Sequence, residues 1–66
     1  MTDFDPTKFT MKEYDFRKNS WREVKPYMLF KTQNRYIFDF LDENNYPITV
    51  VTDLQGNVIE AKRKEN

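Results

Sequence analysis

The stretch 27–41 constrains the fold of this chain more than any other part of the sequence. It contains two apolar runs rich in aromatic residues, 27–30 and 36–41, on either side of the polar segment 31–35. Short apolar runs that are enriched in aromatic residues and bounded by turn-forming residues are typical of β-strands. We therefore predict a β-hairpin over residues 27–41, at the centre of a small antiparallel sheet.

A second hairpin is predicted around the only glycine of the chain, Gly56. Residues 53–57 read Asp-Leu-Gln-Gly-Asn, which is the spacing of a type I turn followed by a left-handed residue in a G1 bulge. Glycine is the residue best suited to the positive φ of that position. The turn predicts three cross-strand pairs, Asp53 with Asn57, Thr52 with Val58, and Val51 with Ile59.

A third hairpin is predicted between these two, with Asn44-Asn45 as the central residues of a type I′ turn. Asparagine tolerates the left-handed conformations that this turn requires. The resulting strands cover residues 47–53 and 57–62. Charged residues follow them, and we expect 63–66 to be a loose terminus.

The three turns together predict a sheet with two apolar faces, if Gln33-Asn34 is the centre of the first hairpin. One face then carries Tyr27, Leu29, Phe38, Phe40, Val51, Ile59 and Ala61. The other carries Met28, Phe30, Ile37, Leu41, Ile48, Val50 and Val58, interrupted by Asp39 and Glu60. Because alternation normally gives one apolar and one polar face, the second face must be covered by the N-terminal third or by a partner. We expect an intermediate, in which Phe16 and Trp21 cover one end and part of the sheet stays open.

The N-terminal third carries weaker signals. Residues 1–8 are polar and aperiodic, which predicts a loose terminus. Residues 9–17 fit strand alternation with one change of face. The following segment, Ser20 to Glu23, matches a capping box, and Pro26 would end a helix soon after it. We therefore expect at most one short helical turn near residues 20–25; a long bent strand is the alternative.

These elements predict a single domain over residues 1–66 that is mainly β, with an α+β fold as the alternative. The expected architecture is a small antiparallel β-meander of four to five strands. With apolar residues on both faces, such a sheet can curl into a partly closed barrel of the SH3 or OB kind.

The composition removes most catalytic chemistry. The chain has no His and no Cys, and Ser20 is its only serine, so the usual general base, thiolate nucleophile and Ser-His pair are missing. One glycine cannot build a phosphate-binding loop. We therefore predict a protein that is not an enzyme and uses neither cofactor nor metal. Its lack of Cys suits a reducing compartment such as the cytoplasm, and its apolar runs are too short to span a membrane.

Charge is segregated along a chain whose net charge is zero. The sum is −2 over residues 1–16, +5 over 17–36, −5 over 37–60 and +2 over 61–66. This pattern indicates either a dipolar surface, which does not suit a general polyanion binder, or simply a solvated face on each hairpin.

We hypothesise a non-catalytic protein-binding module, an inhibitor or adaptor, that uses an apolar sheet face or an edge strand; a homodimer is a variant of this idea. In its size the chain resembles the compact stand-alone proteins of phages and mobile elements, many of which occlude a host protein. Asp39 stands out in the apolar runs. It is either a charge that discourages aggregation, paired with Arg22 or Lys25, or a contact to the partner. The predicted partner-binding residues are Met28, Phe30, Ile37, Asp39, Leu41 and Val50.

An alternative hypothesis is a small β-barrel that binds single-stranded nucleic acid through the basic, aromatic stretch 17–36. Aromatic side chains on such surfaces stack with bases while basic groups contact phosphates. The acidic segment 37–60 counts against this reading. The residues it would use are Arg17, Trp21, Arg22, Lys25, Lys31 and Arg35.

Overall fold

Six strands and one 3-10 turn make up the computed structural model, which describes residues 3–64. The elements are the 3-10 turn Pro6–Lys8, β1 Met11–Asp15, β2 Ser20–Val24, β3 Met28–Lys31, β4 Arg35–Leu41, β5 Pro47–Asp53 and β6 Val58–Arg63. The first two strands form a sheet of their own, and β3 to β6 form a four-stranded meander in chain order, with β3 and β6 as its two edges. The predicted mainly β, antiparallel fold is confirmed, whereas the sheets stay open and do not close into a barrel.

The central hairpin has the predicted register. Lys31 lies opposite Tyr36, which leaves Gln33 and Asn34 as the two turn residues. Thr32 closes the turn, because its N–H donates to the Arg35 carbonyl at 2.9 Å and its Oγ1 accepts from the Arg35 N–H at 3.1 Å.

The β5–β6 turn also forms as predicted, with Gly56 at a φ of +90°. The Asp53 N–H donates to the Asn57 carbonyl at 2.9 Å, and Thr52 lies opposite Val58. The next predicted pair is wrong, since Val51 lies opposite Glu60. Ile59 is therefore the extra residue of a β-bulge, which adds one residue to β6 and increases its twist.

The β4–β5 turn differs from the prediction by one residue. Instead of a type I′ turn, the chain makes a type I turn closed by the Asn45 N–H on the Asp42 carbonyl at 2.9 Å, followed by Asn45 at a φ of +64°. The Asp42 carboxylate stabilises this longer loop, because its Oδ1 accepts from the N–H groups of Asn44 at 2.8 Å and Tyr46 at 2.9 Å.

The extra loop residue moves the side chains of β5 to the opposite faces from those predicted. Phe38 lies opposite Val50, and directly opposed residues of antiparallel strands share a face. A shift of one residue exchanges the two faces of a strand. Val50 and Ile48 therefore join Phe38, while Val51 lies on the other face.

The core lies on the Phe38 face of the four-stranded sheet. Phe38 and Phe40 are fully buried and Val50 is 8% exposed. The N-terminal segment and the first hairpin cover them, through Phe4, Phe9, Met11 and Val24. The stacked rings of Phe9 and Phe38, 4.3 Å between centroids, mark the middle of this layer.

The predicted loose terminus 1–8 is wrong for the part that the structure describes. Phe4 packs 5.7 Å from Tyr36 and 6.5 Å from Phe38, between ring centroids, and residues 1 and 2 lie outside the described range. At the other end, Arg63 belongs to β6 and the Lys64 N–H donates to the Pro47 carbonyl at 2.9 Å; residues 65 and 66 again lie outside that range.

The strand β2, Ser20–Val24, replaces the helical turn that was expected near residues 20–25. Pro26 leaves room for only a short helix, and short helices are unstable without tertiary support. Pairing with β1 supplies cross-strand contacts instead, with the ring of Trp21 edge-on to Tyr14 at 5.2 Å between centroids. Phe16 and Trp21 are 80% and 66% exposed, so the expectation that they cover one end of the sheet is also wrong.

We predict that Gly56→Ala lowers the free energy of unfolding by about 1–3 kcal/mol. Two causes act together, since alanine is strained at the φ of +90° and its Cβ would lie 2.6 Å from Phe4 Cε1. Chemical denaturation of the single variants and of the double variant with Phe4→Ala separates them. In the Phe4→Ala background the cost of Gly56→Ala falls but does not vanish. Equal costs in both backgrounds would contradict the packing of Phe4 on this turn.

Candidate functional site

The surface of the four-stranded sheet that faces away from the core carries most of the predicted partner-binding residues. We call it the open face. Two rows of directly opposed residues cross it, one through Phe30, Ile37, Val51 and Glu60, and one through Met28, Asp39, Thr49 and Lys62. The described N-terminal segment packs on the other side of the sheet, so these side chains keep contact with solvent.

Three large apolar side chains dominate the exposed area of the open face. Met28 is 46% exposed, Phe30 is 45% exposed and Leu41 is 39% exposed. All three come from the neighbouring strands β3 and β4. They therefore form an apolar patch on one half of the sheet, whereas the β6 half carries Glu60 and Lys62, which pair at 3.5 Å.

Asp39 is held in place inside this patch. Its Oδ1 accepts a hydrogen bond from Thr49 Oγ1 at 3.0 Å, across β4 and β5. The suggested ion pair with Arg22 does not form, because that guanidinium pairs with Glu13 instead. The carboxylate of Asp39 therefore has a set orientation and keeps acceptor capacity for another donor.

Five of the six predicted partner-binding residues share the open face, and the sixth does not. Val50 is buried in the core, on the opposite side of the sheet. Its place is taken by Val51, which the sequence reasoning assigned to the wrong face. A signal for this was present, since Asp42 and Asn45 have the same spacing as Asp53 and Gly56 in the turn that was predicted correctly.

A second exposed apolar surface lies at the far end of the β1–β2 hairpin. We call it the aromatic arm, formed by Tyr14, Phe16 and Trp21. The Tyr14 ring meets Phe16 at 4.8 Å and Trp21 at 5.2 Å between centroids, both edge-on. The adjoining turn carries Arg17 and Lys18, whose N–H groups donate to Asp15 Oδ1 at 2.9 and 3.3 Å.

The predicted nucleic-acid-binding residues are divided among separate places. Arg17, Trp21 and Arg22 lie on the β1–β2 hairpin, while Lys31 and Arg35 flank the β3–β4 turn. The hairpin packs on the core through Met11 and Val24 at its base, and the chain after it enters β3 opposite Asp39, towards the end of β4 away from Arg35. Lys25 follows the end of β2. No continuous basic surface joins these six residues among those that the structure describes.

Several of these basic groups are already engaged. Arg22 Nε donates to Glu13 Oε1 at 3.2 Å, and this hydrogen bond raises the pKa of the Arg22 guanidinium. The Lys31 ammonium lies 5.9 Å from the ring centroid of Tyr36. Arg17 and Lys18 bond through their backbone, which leaves their charged ends on an exposed turn.

Sequence reasoning missed a groove beside β3. Its volume is about 480 Å³, and it runs between the 3-10 turn Pro6–Lys8 and the outer edge of β3. Its walls come from Pro6, Thr7, Lys8, Thr10, Glu23, Lys25, Pro26, Tyr27, Met28 and Leu29. Only the placement of the N-terminal segment, which no local pattern predicted, creates this groove.

The buried carboxylate of Asp42 has a structural role. Burial alone would raise its pKa, but the N–H groups of Tyr46 and Asn44 and the nearby Arg63 outweigh that effect and lower the pKa. Arg63 Nη2 lies 2.7 Å from Asp42 Oδ2. Its guanidinium also lies over the Tyr46 ring, 5.4 Å from the centroid, so the pair joins the β4–β5 turn to the end of β6.

Asp53 has the same role in the other turn, where hydrogen bonds from the Asn57 side chain and backbone lower its pKa. Both carboxylates accept hydrogen bonds within their own loops. Within residues 3–64, no group of three or more Asp or Glu side chains is arranged to hold a metal ion.

Comparisons with protein-family models, with curated proteins and with solved structures find no match to this chain. Over residues 3–64, the structure contains no helix of the length and apolar character needed to cross a membrane.

We predict that Asp42→Asn makes the stability of the protein less sensitive to acid. The lowered pKa of Asp42 means that its contribution is present above the unfolded pKa of about 3.9 and is lost as the pH falls through the folded pKa. Thermal unfolding between about pH 7 and pH 2 measures this dependence.

The Asn variant should be less stable than wild type at neutral pH and should lose less stability on acidification. Part of the dependence remains, because the pKa of Asp53 is lowered too. Glu43→Gln, in the exposed middle of the same loop, is the matched control. An unchanged pH profile for Asp42→Asn would contradict the bond network of this turn.

Proposed function

We propose that this protein is a non-catalytic protein-binding module whose partner contacts the open face. The observation that supports the proposal is the joint exposure of Met28, Phe30 and Leu41 on one side of two adjacent strands. Contiguous apolar patches on small proteins mark interaction sites. Burying each large apolar side chain contributes about 1.5–3 kcal/mol, so three of them can anchor a complex.

The surroundings of the patch also suit an interface. Stable interfaces have an apolar centre and a polar rim, and here Glu60 and Lys62 lie beside the patch while Asp39 lies within it. Because the Asp39 carboxylate is already oriented by Thr49, it can accept a hydrogen bond from a partner with little further ordering. Such charges favour one orientation of the partner.

The cellular setting is part of the same proposal. We propose that the module works as a small inhibitor or adaptor, of the kind that phages use to occlude a host protein. A chain without cysteine is compatible with the reducing cytoplasm.

The central test is Phe30→Asp. A charge on the open face costs little stability in the free protein, yet it is expensive to desolvate when a partner arrives. We predict that immobilised wild type captures a defined protein from a native extract, and that the variant loses it while keeping the wild-type unfolding temperature. Val50→Asp, two strands away in β5 and buried, is the contrast and should unfold.

Two further results decide between occupants. If wild type sediments as a dimer and Phe30→Asp as a monomer, the partner is a second copy of the chain. If the wild type retains nucleic acid and no protein, the proposed function is wrong.

A second candidate function is the binding of single-stranded nucleic acid by the aromatic arm. It is favoured by the 66% exposure of Trp21 and 80% exposure of Phe16, next to the charged ends of Arg17 and Lys18. Stacking contributes about 1–3 kcal/mol per base, and in this candidate the two cations contact the phosphates.

This candidate predicts that Trp21→Ala weakens the binding of a labelled oligonucleotide roughly 5- to 150-fold, the equivalent of one lost stacking contact. Fluorescence anisotropy at low salt measures the affinity, which should fall as salt is added. Lys31→Ala, in the separate four-stranded sheet, is the control and should bind like wild type. A flat wild-type titration removes this candidate.

A further inference from the structure

We infer that the free edge of β3 binds an extended, acidic segment of a protein partner, which adds to the four-stranded sheet as a further strand. This inference rests on the proposed protein-binding function but uses a different surface. It concerns the backbone edge of β3 and the groove beside it, whereas the proposal above concerns the side chains of the open face.

The hydrogen-bond pattern shows which backbone groups of β3 point to its free edge. Thr32 donates to the carbonyl of Arg35, so these two residues form a bonded pair of the antiparallel ladder. Bonded and non-bonded pairs alternate along such a ladder. Leu29 and Lys31 therefore fall at non-bonded positions, where the N–H and C=O groups point away from β4 and towards the edge.

The two edges of the sheet differ in their protection. Edge strands are usually shielded by charged side chains or by bulges. β6 has both, since Glu60, Lys62 and Arg63 lie along it and a bulge occurs at Ile59. β3 reads Met-Leu-Phe-Lys, and its only charge is at its last residue. The β3 edge therefore has the character of a pairing site.

The groove provides space next to this edge. A strand added to a sheet lies about 4.8 Å from its neighbour, and the groove of about 480 Å³ separates the β3 residues Met28 and Leu29 from the 3-10 turn Pro6–Lys8. Recognition by strand addition obtains affinity from main-chain hydrogen bonds and specificity from the pockets that take alternate side chains. Here the groove offers such a pocket on the Leu29 side.

The charge around the groove selects the occupant. Lys8 and Lys25 line it, and Lys31 lies at the end of the edge. The acidic residue of the lining, Glu23, lies directly opposite Lys12 in the first hairpin, which offsets its charge. A second copy pairing through β3 would bring its own Lys31 to this basic groove. An acidic segment complements the groove, whereas a second copy repels it.

The test uses the full chain and three synthetic heptapeptides. The first alternates glutamate with valine, the second replaces each glutamate by lysine, and the third is the acidic peptide N-methylated at its three central residues. We expect the acidic peptide to bind and to slow hydrogen exchange at the amides of Leu29 and Lys31. We expect the lysine and N-methylated peptides to bind at least about fivefold more weakly, a loss equal to about one hydrogen bond. The lysine peptide loses charge attraction to the groove, and the N-methylated peptide loses main-chain hydrogen bonds.

A pair of protein variants separates the contribution of the Lys31 backbone N–H from that of the Lys31 side chain. Lys31→Pro removes both the outward N–H and the charge, while Lys31→Ala removes the charge alone; proline is tolerated at edge positions whose N–H is not in the ladder. We expect Lys31→Pro to bind the acidic peptide about fivefold more weakly than Lys31→Ala does. Thermal unfolding of both variants checks that they are folded.

Other outcomes would overturn the inference. The first is that the acidic peptide does not bind at concentrations up to millimolar. The second is that the N-methylated peptide binds as tightly as the unmodified acidic peptide. The third is that the wild type forms a dimer that Lys31→Pro abolishes. Leu41→Asp tests the open face separately from the β3 edge, because it changes a side chain of the open face and leaves the edge intact. Peptide binding that survives Leu41→Asp while capture of the extract protein is lost supports both proposals separately.

Discussion

Aspartate carboxylates that accept backbone N–H groups within the hairpin loops are the interaction on which the four-stranded sheet depends. Asp42 and Asp53 each bind the N–H groups of the second and fourth residues after them, and each loop then passes through a left-handed residue, Asn45 or Gly56. The two loops are copies of one local structure. Because these bonds set the loop length, they also set which residues of β5 face Phe38 and which face outwards.

The register decides what each face can do. With Val50 opposite Phe38, one face gathers the aromatic residues that Phe4 and Phe9 cover, and it becomes the core. The same register leaves the apolar patch on the other face without cover from the described segments. The described N-terminal segment packs on the Phe38 side of the sheet alone, and small domains bury a limited share of their surface. An unequal pair of faces follows from that limit.

Three surfaces of different character result, at three places on a small protein. The open face offers apolar side chains, the aromatic arm offers exposed rings beside two cations, and the β3 edge offers backbone groups beside a basic groove. The segregated charge of the sequence appears here as basic groups around the arm and groove and acidic groups on the β4–β5 half of the sheet. A protein partner can use the face and the edge together, because both belong to β3.

An element of the fold could be predicted from the sequence where the residues that determine it are near neighbours in the chain. The antiparallel β character, the central hairpin with its Gln33-Asn34 turn and the Gly56 turn follow from the sequence by itself, because alternation and the φ requirements of a turn act between near neighbours. Tertiary structure decided the rest. The choice of strand over helix in β2 depended on pairing with β1, and the cover over the core depended on the contacts of Phe4 and Phe9 with Phe38. The exchange of Val50 and Val51 had a local signal, the spacing that Asp42 and Asn45 share with Asp53 and Gly56, whereas the ion pair of Asp42 with Arg63 at the end of β6 belongs to the tertiary structure. A contact between residues so distant in the chain leaves no periodic trace in the sequence.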